Sequence, residues 1–158
     1  MTDYHSAMNV TRWTTGLILL LAASAAVGAE RCEPVIDAAW VRAAPPGAAS
    51  LAGYLVLRND CDAPVTVTGV EAADFAMPMI HRTVEEDGVS KMRHVDASVV
   101  RPGGELRFEP GGLHLMLMHP ARTLAEGDTV RIGLVLADGR TVEAEFPVRR
   151  DAPPAVRS

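Results

Sequence analysis

The sequence LHLMLM at residues 113–118, in which leucine alternates with histidine or methionine, decides the fold. Side chains of a β-strand point alternately to its two faces, so the alternation predicts a strand with one purely leucine face. That face belongs in a hydrophobic core. The other face carries His114, Met116 and Met118, and we expect it to point away from the core or toward one end of the sheet.

Segments of strand-forming residues, separated by turn residues, lie on both sides of this stretch. The 13 glycines and 11 prolines supply the many turns that short strands require, and no long segment shows the 3.6-residue period of a helix. The pattern predicts an all-β sandwich or barrel. The predicted strands are residues 52–57, 65–70, 79–84, 89–95, 105–109, 113–118, 129–136 and 141–148.

One predicted hairpin places histidine and methionine side by side. Asp-Gly at residues 87–88 is a favoured two-residue turn, which would pair His81 with His94 and Thr83 with Met92. Met92 would then lie diagonally across from His81 on the same face, roughly 7–8 Å away at the backbone. A register shifted by one residue would move Met92 to the other face.

The N-terminal residues 1–29 are predicted to be a cleavable signal peptide. Arg12 precedes the apolar residues 16–27, which are fewer than the roughly 20 that a membrane-spanning helix needs. Small residues at 27–29 provide a cleavage site directly after them. Translation from Met8 would give a more usual start, and an uncleaved membrane anchor is the alternative.

The mature chain holds two cysteines, Cys32 and Cys61. In an exported protein such a pair favours a disulfide, which would tie the N-terminal segment to the end of an early strand; two buried free thiols are the alternative. No lipobox-like tripeptide precedes Cys32, so we expect a released protein without a lipid anchor. We predict one domain over residues 30–148 and a disordered tail over residues 149–158.

Charge and motifs argue against several classes of function. The net charge of −5 disfavours a nucleic-acid-binding protein, which would be expected to be basic. The chain lacks the glycine-rich phosphate loops, the serine-hydrolase motif and the zinc-protease motif. We therefore expect a binding protein and not an enzyme.

All histidines and methionines after residue 29 fall into two windows, residues 77–94 and 114–119. Thioethers are soft, neutral ligands that suit Cu(I) and offer little to Zn, Mg or Ca, while imidazole adds a stronger donor. Methionine cannot form a disulfide, so a Met/His site suits a Cu(I) carrier outside the cytoplasm. A blue-copper site is disfavoured, because its cysteine ligand is missing near both windows.

The spacing of four of these residues resembles the signature of the periplasmic copper chaperones called the PCu(A)C family. His81 is followed after ten residues by Met92, and after twenty-one more by His114 and Met116 in a His-x-Met motif. The resemblance covers nearly all of the mature chain. It extends to Asp87-Gly88-Val89, to Pro110-Gly111-Gly112 and to Gly53-Tyr54.

This resemblance implies a cupredoxin-like Greek-key β-sandwich that holds one Cu(I) between His81, Met92, His114 and Met116. It also implies delivery of copper to the Cu(A) centre in subunit II of cytochrome c oxidase, often alongside Sco-type proteins. The chain would meet the membrane only through that recipient, and we expect a monomer. Some relatives bind a second copper ion through a His- and Met-rich C-terminal extension, but residues 149–158 contain neither residue type.

Other functions and roles stay open at this point. A periplasmic copper storage or resistance protein would need the same ligands, and a structural sandwich would use its methionines and histidines only for packing. His94 and His119 fall outside the family pattern and would either support the ligands or add ligands for Cu(II). We expect Met77 and Met118 to line the site or a partner-facing surface, with ordinary packing as the alternative.

Overall fold

The computed structural model describes residues 32–153, and every regular element in that range is a β-strand. The all-β prediction is confirmed. No helix in the range is long and apolar enough to cross a membrane. The predicted signal peptide lies outside the described residues, as does the end of the predicted tail, residues 154–158. The strands are β1 (Val35–Arg42), β2 (Ser50–Arg58), β3 (Val65–Glu71), β4 (Phe75–Glu86), β5 (Val89–His94), β6 (Ser98–Val100), β7 (Glu105–Phe108), β8 (Leu113–Pro120), β9 (Thr129–Leu136) and β10 (Thr141–Arg149).

Two layers of strands form a sandwich. One layer has the order β5-β4-β8-β2-β1, and the other has the order β10-β9-β3-β6. The end of β1 pairs in parallel with the end of β10 and links the layers, while β7 pairs with β2 beyond the part of β2 that pairs with β8. Neighbouring strands are mostly far apart in sequence, as in a Greek-key arrangement.

The leucine face of β8 packs into the core between the layers. Leu113, Leu115 and Leu117 are at most 3% exposed, and they share the core with Phe146 and Leu55. Burying each such side chain contributes about 1.5–3 kcal/mol, so turning β8 over would be very unfavourable. The prediction from LHLMLM is confirmed, and the opposite face of β8 points outward.

The predicted hairpin is present with the predicted register. Asp87 and Gly88 have φ angles of 53° and 74°, the left-handed values that a type I′ turn requires at both central positions. β4 pairs with β8 only as far as Arg82, which lies opposite Leu113. Residues 83–92, here called the hairpin arm, therefore have no neighbouring strand on the β8 side.

The other end of the first sheet is fastened by a disulfide and a buried asparagine. Cys32 and Cys61 are joined, as predicted, which ties the segment before β1 to the loop after β2. Asn59 is fully buried, and its side-chain amide donates to the carbonyl oxygens of Ala63 and Val100 at 2.9 and 3.0 Å. Its Oδ1 accepts from the Cys61 N–H at 3.1 Å, so the loop carrying the disulfide is held rigidly.

Candidate metal centre

The predicted ligands lie on one outward face formed by three neighbouring strands. Residues paired directly across antiparallel strands point to the same side of the sheet. His81 on β4 lies opposite His94 on β5 and His114 on β8, which gives an in-register row of three histidines. Two methionine pairs follow along β4 and β8, and Met92 lies on the other side of the row. This surface, here called the His/Met face, comprises Met77, Met79, His81, Met92, His94, His114, Met116 and Met118.

His81 occupies the middle of the histidine row. Its ring centre is 6.2 Å from that of His114 and 5.7 Å from that of His94, and both neighbouring rings are oriented edge-on to it. The Nδ1 atom of His81 is buried and has no hydrogen-bond partner. A buried polar atom without a partner carries a free-energy cost, which a bound ion at this nitrogen would remove.

The protonation state of His81 suits metal binding. Burial lowers the pKa of its imidazole, and the nearby His114 and His94 lower it further. Desolvation disfavours the charged imidazolium, and neighbouring imidazolium charges would repel it. Only the neutral imidazole has a lone pair for a metal, so His81 is in its ligand form at neutral pH.

His114 is the most buried residue of the His/Met face, at 5% exposure. Its Nδ1 lies 3.1 Å from the carbonyl oxygen of Gly112, and because a carbonyl can only accept, Nδ1 donates the hydrogen bond. The lone pair is then on Nε2. Metal-binding histidines are commonly oriented in this way by a backbone carbonyl on the other ring nitrogen.

The two predicted methionine ligands meet His114 in a cleft on the His/Met face. The cleft has a volume of about 450 Å³, and Met92, His114 and Met116 all line it. Met116 is half-buried, whereas Met92 on the hairpin arm is 60% exposed. His81 is paired directly with His114 across the strands but is not among the residues that line the cleft.

Ion pairs lie on the face of the hairpin arm opposite Met92. Lys91 and Arg93, the two neighbours of Met92, both contact the carboxylate of Glu86. The hydrogen bond from Arg93, followed by that from Lys91, lowers the pKa of the Glu86 carboxyl. The carboxylate therefore stays charged and keeps β5 against β4 at the position of Met92.

The types of donor atom on the His/Met face bear on which metals suit it. Within residues 32–153, no three histidine, cysteine, aspartate or glutamate side chains converge in a way that could hold a metal ion. On the His/Met face, the donors beside the imidazoles are thioether sulfurs. Thioethers select soft ions such as Cu(I).

The remaining candidates have different surroundings. Met77 lies opposite Met118, one row beyond Met79 and Met116, so both belong to the His/Met face, but neither lines the cleft. The Nε2 atom of His94 is 3.4 Å from an Asp96 carboxylate oxygen. His119 lines a separate depression beside Arg122 and Thr123, and it does not border the cleft.

An aromatic pair beside the cleft was not predicted. Trp40 and Tyr54 stack with ring centres 4.8 Å apart, and the Arg42 guanidinium lies 5.6 Å and 5.7 Å from the two ring centres. Tyr54 and Arg42 both line the cleft. The signal in the sequence is Trp40-x-Arg42, which puts both side chains on one face of a strand, but β1 was not recognised as a strand.

Comparisons with known proteins agree with this geometry. The model of the LpqE-like family, described as predicted lipoproteins, matches residues 35–148. The chain belongs to this family. It is the PCu(A)C family that the sequence resembles, and its cupredoxin-like Greek-key sandwich is the fold seen here.

One relative and two solved structures extend the comparison. A predicted lipoprotein of Leifsonia xyli subsp. xyli is 29% identical over 137 residues, which is 85% of this chain and 81% of that protein. The Cu(I) form of DR1885 from Deinococcus radiodurans is 32% identical with a TM-score of 0.61, covering 79% of this chain and 84% of that one. The copper-bound PCuAC domain of PmoF2 is 23% identical with a TM-score of 0.60, covering 77% of this chain and all of that one, and shows the shared fold.

Proposed function

We propose that this protein is a periplasmic copper chaperone that binds one Cu(I) through His81, Met92, His114 and Met116. The observation that carries the proposal is the pairing of His81 with His114 in the centre of an outward face otherwise rich in methionine. The related DR1885 has a Cu(I) form, which supports the same cargo here.

The distances support a shared ion. A metal about 2.0 Å from an imidazole nitrogen lies roughly 3.2 Å from the ring centre, so two rings on one ion can have centres up to about 6.4 Å apart. The centres of His81 and His114 are 6.2 Å apart, within that limit. Met92 and Met116 lie on opposite sides of the histidine row and would supply the two sulfur ligands.

The site has the properties that a carrier needs. Thioethers are neutral donors, so a partner can displace them one at a time. Met92 is the most exposed of the four proposed ligands and is the natural first ligand to leave. We infer that the protein transports copper and does not act as an enzyme.

The proposed destination is the Cu(A) centre in subunit II of cytochrome c oxidase, with a Sco-type protein as a second partner. Family membership supports this route. A storage or resistance protein would instead accumulate several ions, and the three methionines outside the proposed ligand set, Met77, Met79 and Met118, offer sulfur for that alternative. The number of ions bound per chain separates the two.

The test is an anaerobic Cu(I) titration against a chromophoric chelator, with Met92→Leu and His114→Ala as the variants. Met77→Leu is the matched control, because Met77 is also exposed on the His/Met face but lies two rows from the histidines. We expect one tight equivalent that both variants weaken and the control does not. Several equivalents would favour storage, and binding that is indifferent to both variants would leave a sandwich without a specific copper site.

A further inference from the structure

One positively charged side chain, Arg42, lines the cleft that the proposed ligands Met92, His114 and Met116 also line. Arg42 and Arg149 are direct neighbours in the parallel pairing of β1 with β10. The residues before them, Val41 and Val148, are buried in the core, so both arginine side chains project to the outer side. Like charges at directly paired positions destabilise a sheet.

Neither arginine has a compensating carboxylate in the described range. Among residues 32–153, the ion pairs involve other arginines, Lys91 and His94, and none includes Arg42 or Arg149. The chain as a whole is acidic, with a net charge of −5. An uncompensated positive pair on such a chain is a place where an anionic group would bind favourably.

The Arg42 guanidinium is held in place before any anion arrives. It lies over the rings of Trp40 and Tyr54, which are tilted by 38° to each other and are 3% and 6% exposed. Arginine on an aromatic face keeps its planar set of N–H donors available for a carboxylate. A positioned guanidinium loses less conformational entropy on binding than a free one.

The Arg42 guanidinium and three of the proposed copper ligands share one cleft. Its lining includes Arg42, Pro45 and Tyr54 together with Met92, His114 and Met116. A volume of about 450 Å³ is ample for a few side chains of an extended segment, and Ala44, Pro45 and Ala52 offer it apolar contacts. A small inorganic anion would use only the arginines.

We propose that this cleft docks an acidic segment of the protein that accepts the copper, with carboxylates on Arg42 and Arg149 and a copper ligand beside Met92 and Met116. The proposal deepens the copper-chaperone function proposed above and rests on it. The carboxylates would place the incoming ligand next to the ion, so that ligand exchange takes place within the docked complex.

The test uses two synthetic peptides with the same Met- and His-containing copper-binding core, one flanked by glutamates and the other by glutamines. Binding to the apo chain is followed at low ionic strength by ¹⁵N NMR signals of the Trp40 indole and the Arg42 side chain. We expect the glutamate peptide to bind about fivefold tighter, as for exposed charge-assisted pairs. The Cu(I)-loaded chain should also transfer copper to it faster by a similar factor.

Three variants separate docking from general effects of charge. Arg42→Gln should abolish the preference for glutamate, and Arg149→Gln, which leaves the aromatic stack intact, should reduce it. Arg131→Gln on β9 removes the same charge at an exposed position outside the cleft and should preserve the preference.

Equal binding of the two peptides, a preference that survives Arg42→Gln, or an equal loss in Arg131→Gln would each overturn the docking proposal. Should Arg42→Gln fail to fold, Arg149→Gln and Arg42→Lys decide the matter, and we expect Lys to retain part of the preference. Docking is measured on the apo chain. Failure to bind Cu(I) would therefore count against the proposed function alone, and loss of the charge preference against the docking alone.

Discussion

His81 and His114 lie directly opposite each other on β4 and β8, with ring centres 6.2 Å apart. The backbone pairing of β4 with β8 sets this spacing. The leucines on the inner face of β8 are packed in the core, and β4 is paired with β5 on one side and β8 on the other. Two imidazoles at this distance need only small side-chain rotations to share an ion. We therefore expect the two histidines to be largely in position before an ion binds.

The first prediction concerns the two methionines on β8. Met116→Leu keeps the volume but removes a sulfur beside His114, so we expect Cu(I) affinity to fall about tenfold or more. Met118→Leu changes the next row along and should alter affinity less than twofold. Competition with a chromophoric Cu(I) chelator measures both. An equal loss of Cu(I) affinity in the two variants would indicate that the ion lies closer to the Met77–Met118 row than we propose.

The second prediction concerns the titration of His81. Burial, then His114, then His94 lower its pKa, so in the apo protein the ring should titrate below the ordinary value of 6.5. The unfolded chain takes up this proton near pH 6.5 and the folded chain only at lower pH. Stability should therefore fall as the pH drops through that interval.

The measurement is a ¹H–¹³C NMR titration of the His81 ring in the apo protein. His94→Gln removes one repelling imidazolium, so the pKa should rise but stay below 6.5, because burial remains as the largest cause. A midpoint at or above 6.5 in the parent protein would show that the ring is more hydrated than the structure indicates.

The third prediction concerns Glu86, whose carboxylate contacts Lys91 and Arg93. Glu86→Gln should loosen β5 around Met92 and weaken Cu(I) binding about two- to fivefold, as expected for a small exposed ion-pair network. The pKa of the Glu86 carboxyl is lowered from 4.5. Its ion pairs with Lys91 and Arg93 should therefore be fully formed above pH 4.5 and be lost as the pH falls through the lowered pKa. Glu145→Gln, which removes the pairing with Arg131 in the other sheet, is the control and should leave affinity unchanged.

The fourth prediction concerns the disulfide. Replacing Cys32 and Cys61 with serine opens a loop of 29 positions and should lower the free energy of unfolding by about 3 kcal/mol. Denaturant unfolding measures the loss. Cu(I) affinity should not change, since neither cysteine borders the cleft. A parallel loss of affinity would show that the disulfide end of the sheet also positions the ligands.

Elements with strong local signals were predicted correctly from the sequence. The Asp-Gly turn fixes the register of β4 and β5, and the leucine alternation fixes the outward face of β8. Together these two features place His81 opposite His94 and turn His114 and Met116 outward. The family resemblance implied only that His81 and His114 share an ion. That β4 lies beside β8, with His81 opposite His114, is seen in the structure.

Elements that depend on distant contacts were missed. β1 has a bulge with Ala38 at φ 48°, which breaks the alternation that marks a strand, and β6 has only three residues. β4 begins at Phe75, earlier than the predicted residue 79, because Pro78 lies where β4 has no β5 neighbour. In that position its missing N–H can face the open side.

Buried polar groups were equally hard to predict. Asn59 lies in a cluster of turn residues, and its sequence neighbours predict an ordinary exposed turn. Its burial depends on the carbonyl oxygen of Val100, 41 residues away. No local pattern could show that contact, because it exists only once β3 and β6 have paired.

The hairpin arm bears on how a recipient could distinguish full carriers from empty ones. His81, His114 and Met116 lie where β4 and β8 pair with each other, whereas Met92 lies on the hairpin arm, which β8 does not border. Filling the site would tie down the arm and leave the sandwich unchanged. Bound copper would then change mainly how well ordered the hairpin arm is. A recipient that contacts the hairpin arm could select the copper-loaded protein without touching the metal. After the copper has left, the hairpin arm would loosen and the empty protein would dissociate.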